Sequence, residues 1–364
     1  MTNSLPTHAE VVIVGGGIVG CSIAYHLTRL GITDVVLLEQ NKLTSGTTWH
    51  AAGLVGQLRA TQNLTRLAKY TTELFAELEA ETGLSTGYKR TGSISLATNL
   101  ERMEELNRQA STARAFGVEA EIIQPQDVLQ YWPGINLDGV AGAVYLPGDG
   151  QTNPVDTTMA LAKGARSGGA MIFENQEVLE LLTNAGGICG VRTSAGEISA
   201  NKVVLASGMW SRQLAATIGV SIPLQAAEHF YIVTEPMQTL AAGMPTLRVP
   251  DEQAYFKEDA GKLLLGAFEL EAKPWSVDGV PADFAFGTLP DDMDHFAPIM
   301  ETAIKRFPAL EHAGIQLSFN GPESFTPDDR YLLGPTAEYS NFFVAAGFNS
   351  IGCPLYASPG PRDG

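Results

Sequence analysis

The stretch Glu10-Val-Val-Ile-Val-Gly15-Gly-Gly17-Ile-Val-Gly20, followed by Asp34-Val-Val-Leu-Leu-Glu39, decides the fold. Residues 10–14 form a short apolar run rich in β-branched side chains, which predicts a buried parallel strand. Beyond the glycines, Ile18, Cys21, Ala24, Tyr25 and Leu27 recur at near-helical spacing, and Gly31 closes that helix. Residues 34–39 read as a second buried strand, completing a right-handed βαβ unit. Within it, Gly15, Gly17 and Gly20 fit G-x-G-x-x-G. The first glycine permits a tight turn, the second a close backbone approach to a pyrophosphate, and the third close helix–strand packing. Ile18 and Val19 lie in this turn, where a helix N-terminus favours phosphate. Glu39, with Gln40 after it, is placed to bind an adenosine ribose. An acid there disfavours a ribose phosphate, so the pattern predicts FAD or NAD over NADP.

Working outward, the chain has 364 residues, a size expected to hold about two domains. Asp plus Glu number 40 against 23 Lys plus Arg, a formal charge of −17, with no basic run. Nucleic acid is therefore not an expected partner. Cys21, Cys189 and Cys353 are too scattered for a disulfide framework or a zinc site, and His8, His26, His295 and His312 show no metal spacing. No Lys or Arg precedes Arg29, and the longest uncharged apolar stretch is interrupted by glycine. A soluble cytoplasmic protein with no metal and no membrane contact is expected.

Further along, periodicity predicts helices over 64–83 and 101–116, the latter on the surface. Strands are expected within 178–200 around turns at Gly186-Gly187 and Ala195-Gly196, then at 202–206, 229–234, 253–256, 262–266 and 341–346. Asp291-Asp292 and Asp328-Asp329 read as solvated loop acids. Nucleotide-type strands bracket the β-rich stretch. The fold class expected is α/β (α+β), a discontinuous Rossmann-like nucleotide domain carrying an inserted antiparallel, β-rich substrate domain. Its boundaries are set at 1–86, 145–225 and 321–364 for the first, and 87–144 and 226–320 for the second.

The segment Leu43-Thr-Ser-Gly-Thr-Thr-Trp-His50-Ala-Ala-Gly53-Leu54 chooses between the cofactors. A small-residue, hydroxyl-rich loop directly after the ribose strand has no use in an NAD enzyme, whereas in a flavin enzyme it offers a second close approach to phosphates and isoalloxazine. This segment resembles the dimethylglycine and sarcosine dehydrogenase family, within the D-amino-acid-oxidase-like flavoproteins. The resemblance extends through Tyr88-Lys-Arg-Thr-Gly-Ser-Ile-Ser-Leu96, Pro147-Gly-Asp-Gly-Gln-Thr-Asn-Pro-Val155, Ala227-Glu-His-Phe-Tyr-Ile-Val-Thr-Glu-Pro236 and Gly321-Pro-Glu-Ser-Phe-Thr-Pro-Asp328, to about Gly352.

The resemblance implies FAD joined covalently through His50, because the family's Trp-His pair carries the flavin 8α-methyl bond. That bond needs a neutral imidazole nucleophile. It places Gly46, Thr47, Thr48, Gly53 and Leu54 on the His50 loop, and Val178, Ser207, Gly208 and Trp210 around the next strands. It also places Gly347, Asn349, Ser350, Ile351 and Gly352 on a late flavin-contacting loop. His229 and Tyr255 match the family's pocket histidine and tyrosine: the first suits proton transfer near neutral pH, the second orientation of substrate. Arg59 and Arg248 are candidates for the substrate carboxylate. The activity implied is oxidative demethylation of a small N-methyl amino acid of dimethylglycine or sarcosine type, with oxygen or a carrier protein as electron acceptor. Another small-amino-acid oxidase, or a non-catalytic regulatory relative, stays open as an alternative.

Two departures stand out. Family members continue into a folate-binding, aminomethyltransferase-like module, whereas this sequence ends at Gly364, so formaldehyde is expected to leave unless a partner takes it. Relatives also follow the late loop with a helix aimed at the flavin pyrimidine. Cys353-Pro-Leu-Tyr-Ala-Ser-Pro-Gly-Pro-Arg-Asp-Gly364 is too rich in proline and glycine to form it, which bears most on cofactor retention.

Overall fold

The computed structural model describes residues 4–269 and 271–349. Its first sheet grows from strand His8–Val14, which is apolar on both faces. Parallel neighbours flank it, Val35–Leu38 on one side and Gly196–Leu205 on the other. Met171–Phe173 and Phe342–Ala346 extend the parallel set outward, and Leu332–Pro335 adds an antiparallel edge. Side chains alternate across these strands. Val11, Ile13, Val35 and Leu37 pack on helices Ile18–Arg29, Gln62–Thr82 and Pro154–Ser167. Val12, Val14, Val36 and Leu38 pack on the opposite layer, built from Val178–Asn184, Gly187–Thr193 and the start of Gly196–Leu205.

The second sheet has eight strands in the order Ile315–Phe325, Gln225–Thr234, Lys262–Ala267, Ala254–Asp259, Thr246–Val249, Ser93–Ala97, Gly142–Leu146 and Glu121–Ile123. All pairs are antiparallel except Thr246–Val249 with Ser93–Ala97. One face holds a core of Phe230, Ile232, Phe256, Leu265 and Leu247, covered by Trp132, Phe296 and Phe307. The opposite face carries the site.

Several expectations change in detail. The domain boundaries at 145 and 321 each cut a strand, since Gly142–Leu146 and Ile315–Phe325 lie wholly in the second sheet. Hydrogen-bond register, which composition does not reveal, holds those strands together. Gly196–Leu205 forms one long strand, not two, because it changes partner midway from Gly187–Thr193 to His8–Val14 and Phe342–Ala346. Helix Leu100–Ala115 is only half a surface helix, as Leu106, Ala110 and Ala113 pack against Ala97 and Val144. Asp292 is no idle loop acid: its Oδ1 accepts from the His295 amide at 3.0 Å as the cap of helix Met293–Arg306, and it pairs with Lys273. Ser350, Ile351, Gly352 and the tail after them lie outside the described residues. Among the described residues no helix is long and apolar enough to cross a membrane.

Candidate active site

A cavity of about 710 Å³ lies between the C-terminal ends of the central parallel strands and the open face of the second sheet. At its first end the glycine turn behaves as its pattern requires. Gly15 has φ +114°, and a Cβ on Gly20 would fall 1.9 Å from the Gly15 carbonyl oxygen. Gly20 therefore packs beneath the turn, while Gly15, Gly17, Ile18 and Val19 line the cavity. Glu39 also lines it. Its carboxylate is buried and accepts from the Gly16 amide at 2.7 Å and the Asn41 amide at 2.8 Å. Burial raises its pKa against these hydrogen bonds.

Gln40, Val178 and Gln176 stand beside Glu39, and Gln176 Oε1 is a buried acceptor with no partner among the described residues. A glycine cradle, a buried carboxylate and an orphaned acceptor along one wall fit the donors of an adenosine dinucleotide. Gly46, Thr47, Thr48, Gly53, Leu54, Ser207, Gly208, Trp210 and Asn349 line the same cavity. Thr48 Oγ1 also accepts from the Ile18 amide at 3.1 Å, tying the His50 loop to the helix start. Gly347 does not reach the cavity. Its φ of +72° turns the chain where a Cβ would strike the Thr326 methyl at 2.5 Å, so its role is in the turn.

His50 ends the short 3-10 turn Thr47–His50 and is buried against the second sheet. A Cβ on Gly321 would come within 2.5 Å of its Nδ1, so the imidazole occupies space that only glycine leaves open. Burial, with a smaller contribution from His229, lowers its pKa to about 4, which leaves the ring neutral at pH 7.

The cavity floor is a grid set by strand register. Phe319, Tyr231, Gly266, Tyr255 and Arg248 pair in one line across five strands. Directly paired residues point to the same face, and Tyr231, Tyr255 and Arg248 all line the cavity. Gly266 is the bare square: a Cβ there would meet the Tyr255 ring at 1.9 Å. Tyr231 stacks on Phe319 at 4.8 Å, and Tyr255 lies 5.1 Å from Phe268. Two residues along the grid, His229 pairs with Gly321 and faces the cavity as well.

Sequence reasoning missed the partner of His229. Glu269 Oε2 lies 3.1 Å from His229 Nδ1, and Oε1 accepts from the Phe230 amide at 3.1 Å. The carboxylate can only accept, so Nδ1 carries the proton and Nε2 of the neutral ring is left as acceptor. Burial alone would lower the pKa of His229. The Glu269 hydrogen bond and the charges of Glu323 and Glu269 outweigh it, and the net shift is upward. Burial, then the charge of Glu323, holds Tyr255 well above the usual phenol value, so it stays a hydroxyl.

Arg59 and Arg248 both line the cavity. The buried Asp149, held by Ser93 Oγ at 2.6 Å and the Gln57 amide at 2.7 Å, feels the charge of both guanidinium groups. Glu323 lines the cavity too. It stands inside a stretch that carried the family resemblance, yet nothing in its own spacing singles it out. Among the described residues no group of three or more His, Cys, Asp or Glu side chains is arranged to hold a metal.

Residues 10–355 match the family described as FAD dependent oxidoreductase. The chain is 44% identical to 4-methylaminobutanoate oxidase (formaldehyde-forming) of Paenarthrobacter nicotinovorans, over 96% of this chain and 42% of that protein. It is 39% identical to the mitochondrial pyruvate dehydrogenase phosphatase regulatory subunit of Mus musculus, over 98% of this chain and 41% of that protein. It is also 39% identical to the mitochondrial sarcosine dehydrogenase of Homo sapiens, over 96% and 39%. The chain thus spans about two fifths of the length of these curated relatives. Among solved structures, L-proline dehydrogenase from P. horikoshii superposes with a TM-score of 0.86 at 26% identity, covering 97% of this chain and 91% of that one. A family match over nearly the whole length leads to one conclusion: the chain belongs to the FAD dependent oxidoreductases.

Proposed function

We propose that this chain oxidises a small N-methyl amino acid of the dimethylglycine or sarcosine type, releasing the demethylated amino acid and formaldehyde. The observation that carries the reading is the His229–Glu269 pair, whose imidazole faces the same cavity as the glycine turn and the neutral His50. FAD, when bound, supplies the acceptor for the hydride lost from the N-methyl carbon. Glu39, Gln176 and Val178 would hold its adenosine end, the turn at Gly15–Val19 its phosphates, and the His50 loop with Ser207, Gly208, Trp210 and Asn349 its remaining length. His50 is the residue proposed to carry the cofactor covalently, since a buried imidazole of low pKa presents a nitrogen lone pair at neutral pH.

The remaining steps belong to the chain's own side chains. Hydride loss from carbon needs the amine nitrogen's lone pair, and an amino acid arrives protonated. His229 Nε2 takes that proton, and Glu269 stabilises the imidazolium that results. The Tyr255 hydroxyl orients the amine or the carboxylate, while Arg248 and Arg59 attract the carboxylate. Tyr231, Phe319 and Phe268 form an aromatic floor that excludes water until the product imine is hydrolysed. Oxygen or a carrier protein then receives the electrons.

A second reading, a binding module without turnover, is favoured by the 39% identity to a protein named as a regulatory subunit. Anaerobic mixing of the flavin-loaded protein with sarcosine, dimethylglycine, 4-methylaminobutanoate, glycine and proline separates the readings. Bleaching by an N-methyl compound first and fastest is expected. Bleaching only by glycine or proline would replace the substrate class, and no bleaching by any of them would favour the binding module. Acid precipitation of the same sample should leave yellow colour in the pellet, lost in His50→Ala.

A further inference from the structure

Glu323 has no assigned role, and its surroundings give it one. It stands on edge strand Ile315–Phe325, two residues beyond Gly321 and four beyond Phe319, so all three face the cavity floor. Only 8% of its surface is exposed, and that part opens into the cavity it lines. No described residue donates a hydrogen bond to its carboxylate or pairs with it as an ion. Burying an ionised carboxylate without a partner is strongly unfavourable. The groups that feel its charge from neighbouring elements are His229, whose Nδ1 is held by Glu269, and the Tyr255 hydroxyl. The charge of Glu323 reaches both His229 and Tyr255, and Tyr255 also feels Arg248 from the opposite side. A ligand lying along Tyr255 therefore meets negative charge at one end and positive charge at the other.

We infer that Glu323 is the amine-recognising residue of this cavity, binding the substrate as its ammonium cation through a charge-assisted N–H hydrogen bond. This deepens the proposed function and rests on it. The step suits a secondary amine such as sarcosine, whose ammonium has two N–H groups: one donates to Glu323 throughout, while the other passes its proton to His229 Nε2 and leaves the neutral amine in place. Atoms and charge balance, since the ammonium loses what the imidazole gains. Glu323 thus selects amines over neutral molecules of the same shape, and sets the amine at the edge-strand side of the floor with the carboxylate towards Arg248.

The test compares each amino acid with the carboxylate in which carbon replaces the ammonium nitrogen: sarcosine with butanoate, 4-methylaminobutanoate with hexanoate, and proline with cyclopentanecarboxylate. Binding is measured by calorimetry to flavin-loaded protein reduced beforehand, so that no turnover occurs. Glu323→Gln should weaken the amine member of a pair by about tenfold or more, the worth of a charge-assisted hydrogen bond, and leave the isostere within about threefold. Glu323→Asp should recover part of the preference. Glu323→Gln should also melt no lower than wild type without ligand, because an amide costs less to bury than a carboxylate. Equal losses for both members of every pair, or no loss, would overturn the inference, as would a clear fall in melting temperature for the Gln variant, which would assign Glu323 a structural role. Glu323-dependent binding of proline alone, with no N-methyl amino acid bound, supports the amine site while sinking the demethylation reading.

Discussion

The two ends of the cavity are built by different rules. The phosphate turn and ribose carboxylate of the nucleotide end come from one continuous stretch, Val11 to Glu39, in which a strand, a glycine turn, a helix and a second strand follow one another. The floor comes from five strands between Gln225 and Phe325, and none of its working side chains is a sequence neighbour of its partner. At the first end a missing Cβ makes room for backbone, as at Gly20. On the floor it makes room for a side chain, Tyr255 over Gly266 or His50 beside Gly321. A local rule thus fixes where a cofactor lies, and register decides what chemistry meets it.

That contrast can be broken at its strongest point. In Gly20→Ala the new methyl would meet the Gly15 carbonyl oxygen, which is backbone and cannot swing aside. The expected result is a loss of about 3 kcal/mol or more in stability together with loss of bound flavin, read by thermal melting and by absorbance of the purified protein. A variant that keeps its flavin would show that the turn does not control the site. On the floor, His229→Ala should keep the flavin and slow its anaerobic reduction by about 10²–10⁴-fold, the usual range for losing a general base. Unchanged reduction, followed by stopped flow, would remove His229 from the chemistry.

His50 offers a smaller effect that sharpens the same contrast. Its folded pKa of about 4 lies below the ordinary 6.5, so between these values the unfolded chain binds the extra proton. Flavin-free protein should therefore lose up to about 3 kcal/mol of stability as pH falls from 6.5 to 4. In His50→Gln this part of the pH dependence should vanish, as measured by denaturant melts across the window. The mildest expectation concerns Glu269. Its hydrogen bond helps hold the pKa of His229 up, so Glu269→Gln should lower it. Turnover that needs neutral His229 rises with pH through that pKa, and the acid limb of the pH–rate profile should move to lower pH, with a rate loss of about tenfold or less. Movement to higher pH would show that Glu269 does not act through His229.

How much was legible follows the same division. The βαβ unit, the helix closed by Gly83 and the strand at 342–346 each rest on a local period or a local breaker, and their positions agree with the sequence to within one or two residues. His50 and His229 stand in long stretches that carry the family resemblance, Tyr255 matches the family's pocket tyrosine outside them, and all three line one cavity. Glu269 and Glu323 were passed over because a carboxylate two residues from a turn or amid a strand looks like any solvated acid. Only the pairing of Gln225–Thr234 with Ile315–Phe325 carries Glu323 inside. Strand Ile315–Phe325 was itself unforeseen, since Asn320, Gly321 and Pro322 interrupt its apolar pattern. Pro322 is tolerated because the strand lies at the sheet edge.

The central claim is that one cavity joins a flavin to an amine-binding floor. A crystal structure of the flavin-loaded protein, reduced beforehand and soaked with sarcosine, tests it most directly. The account predicts the isoalloxazine against His50 and the ligand between that ring and the floor of Tyr255, His229 and Glu323. An isoalloxazine lodged away from His50, or a ligand held elsewhere with the floor left empty, would contradict it.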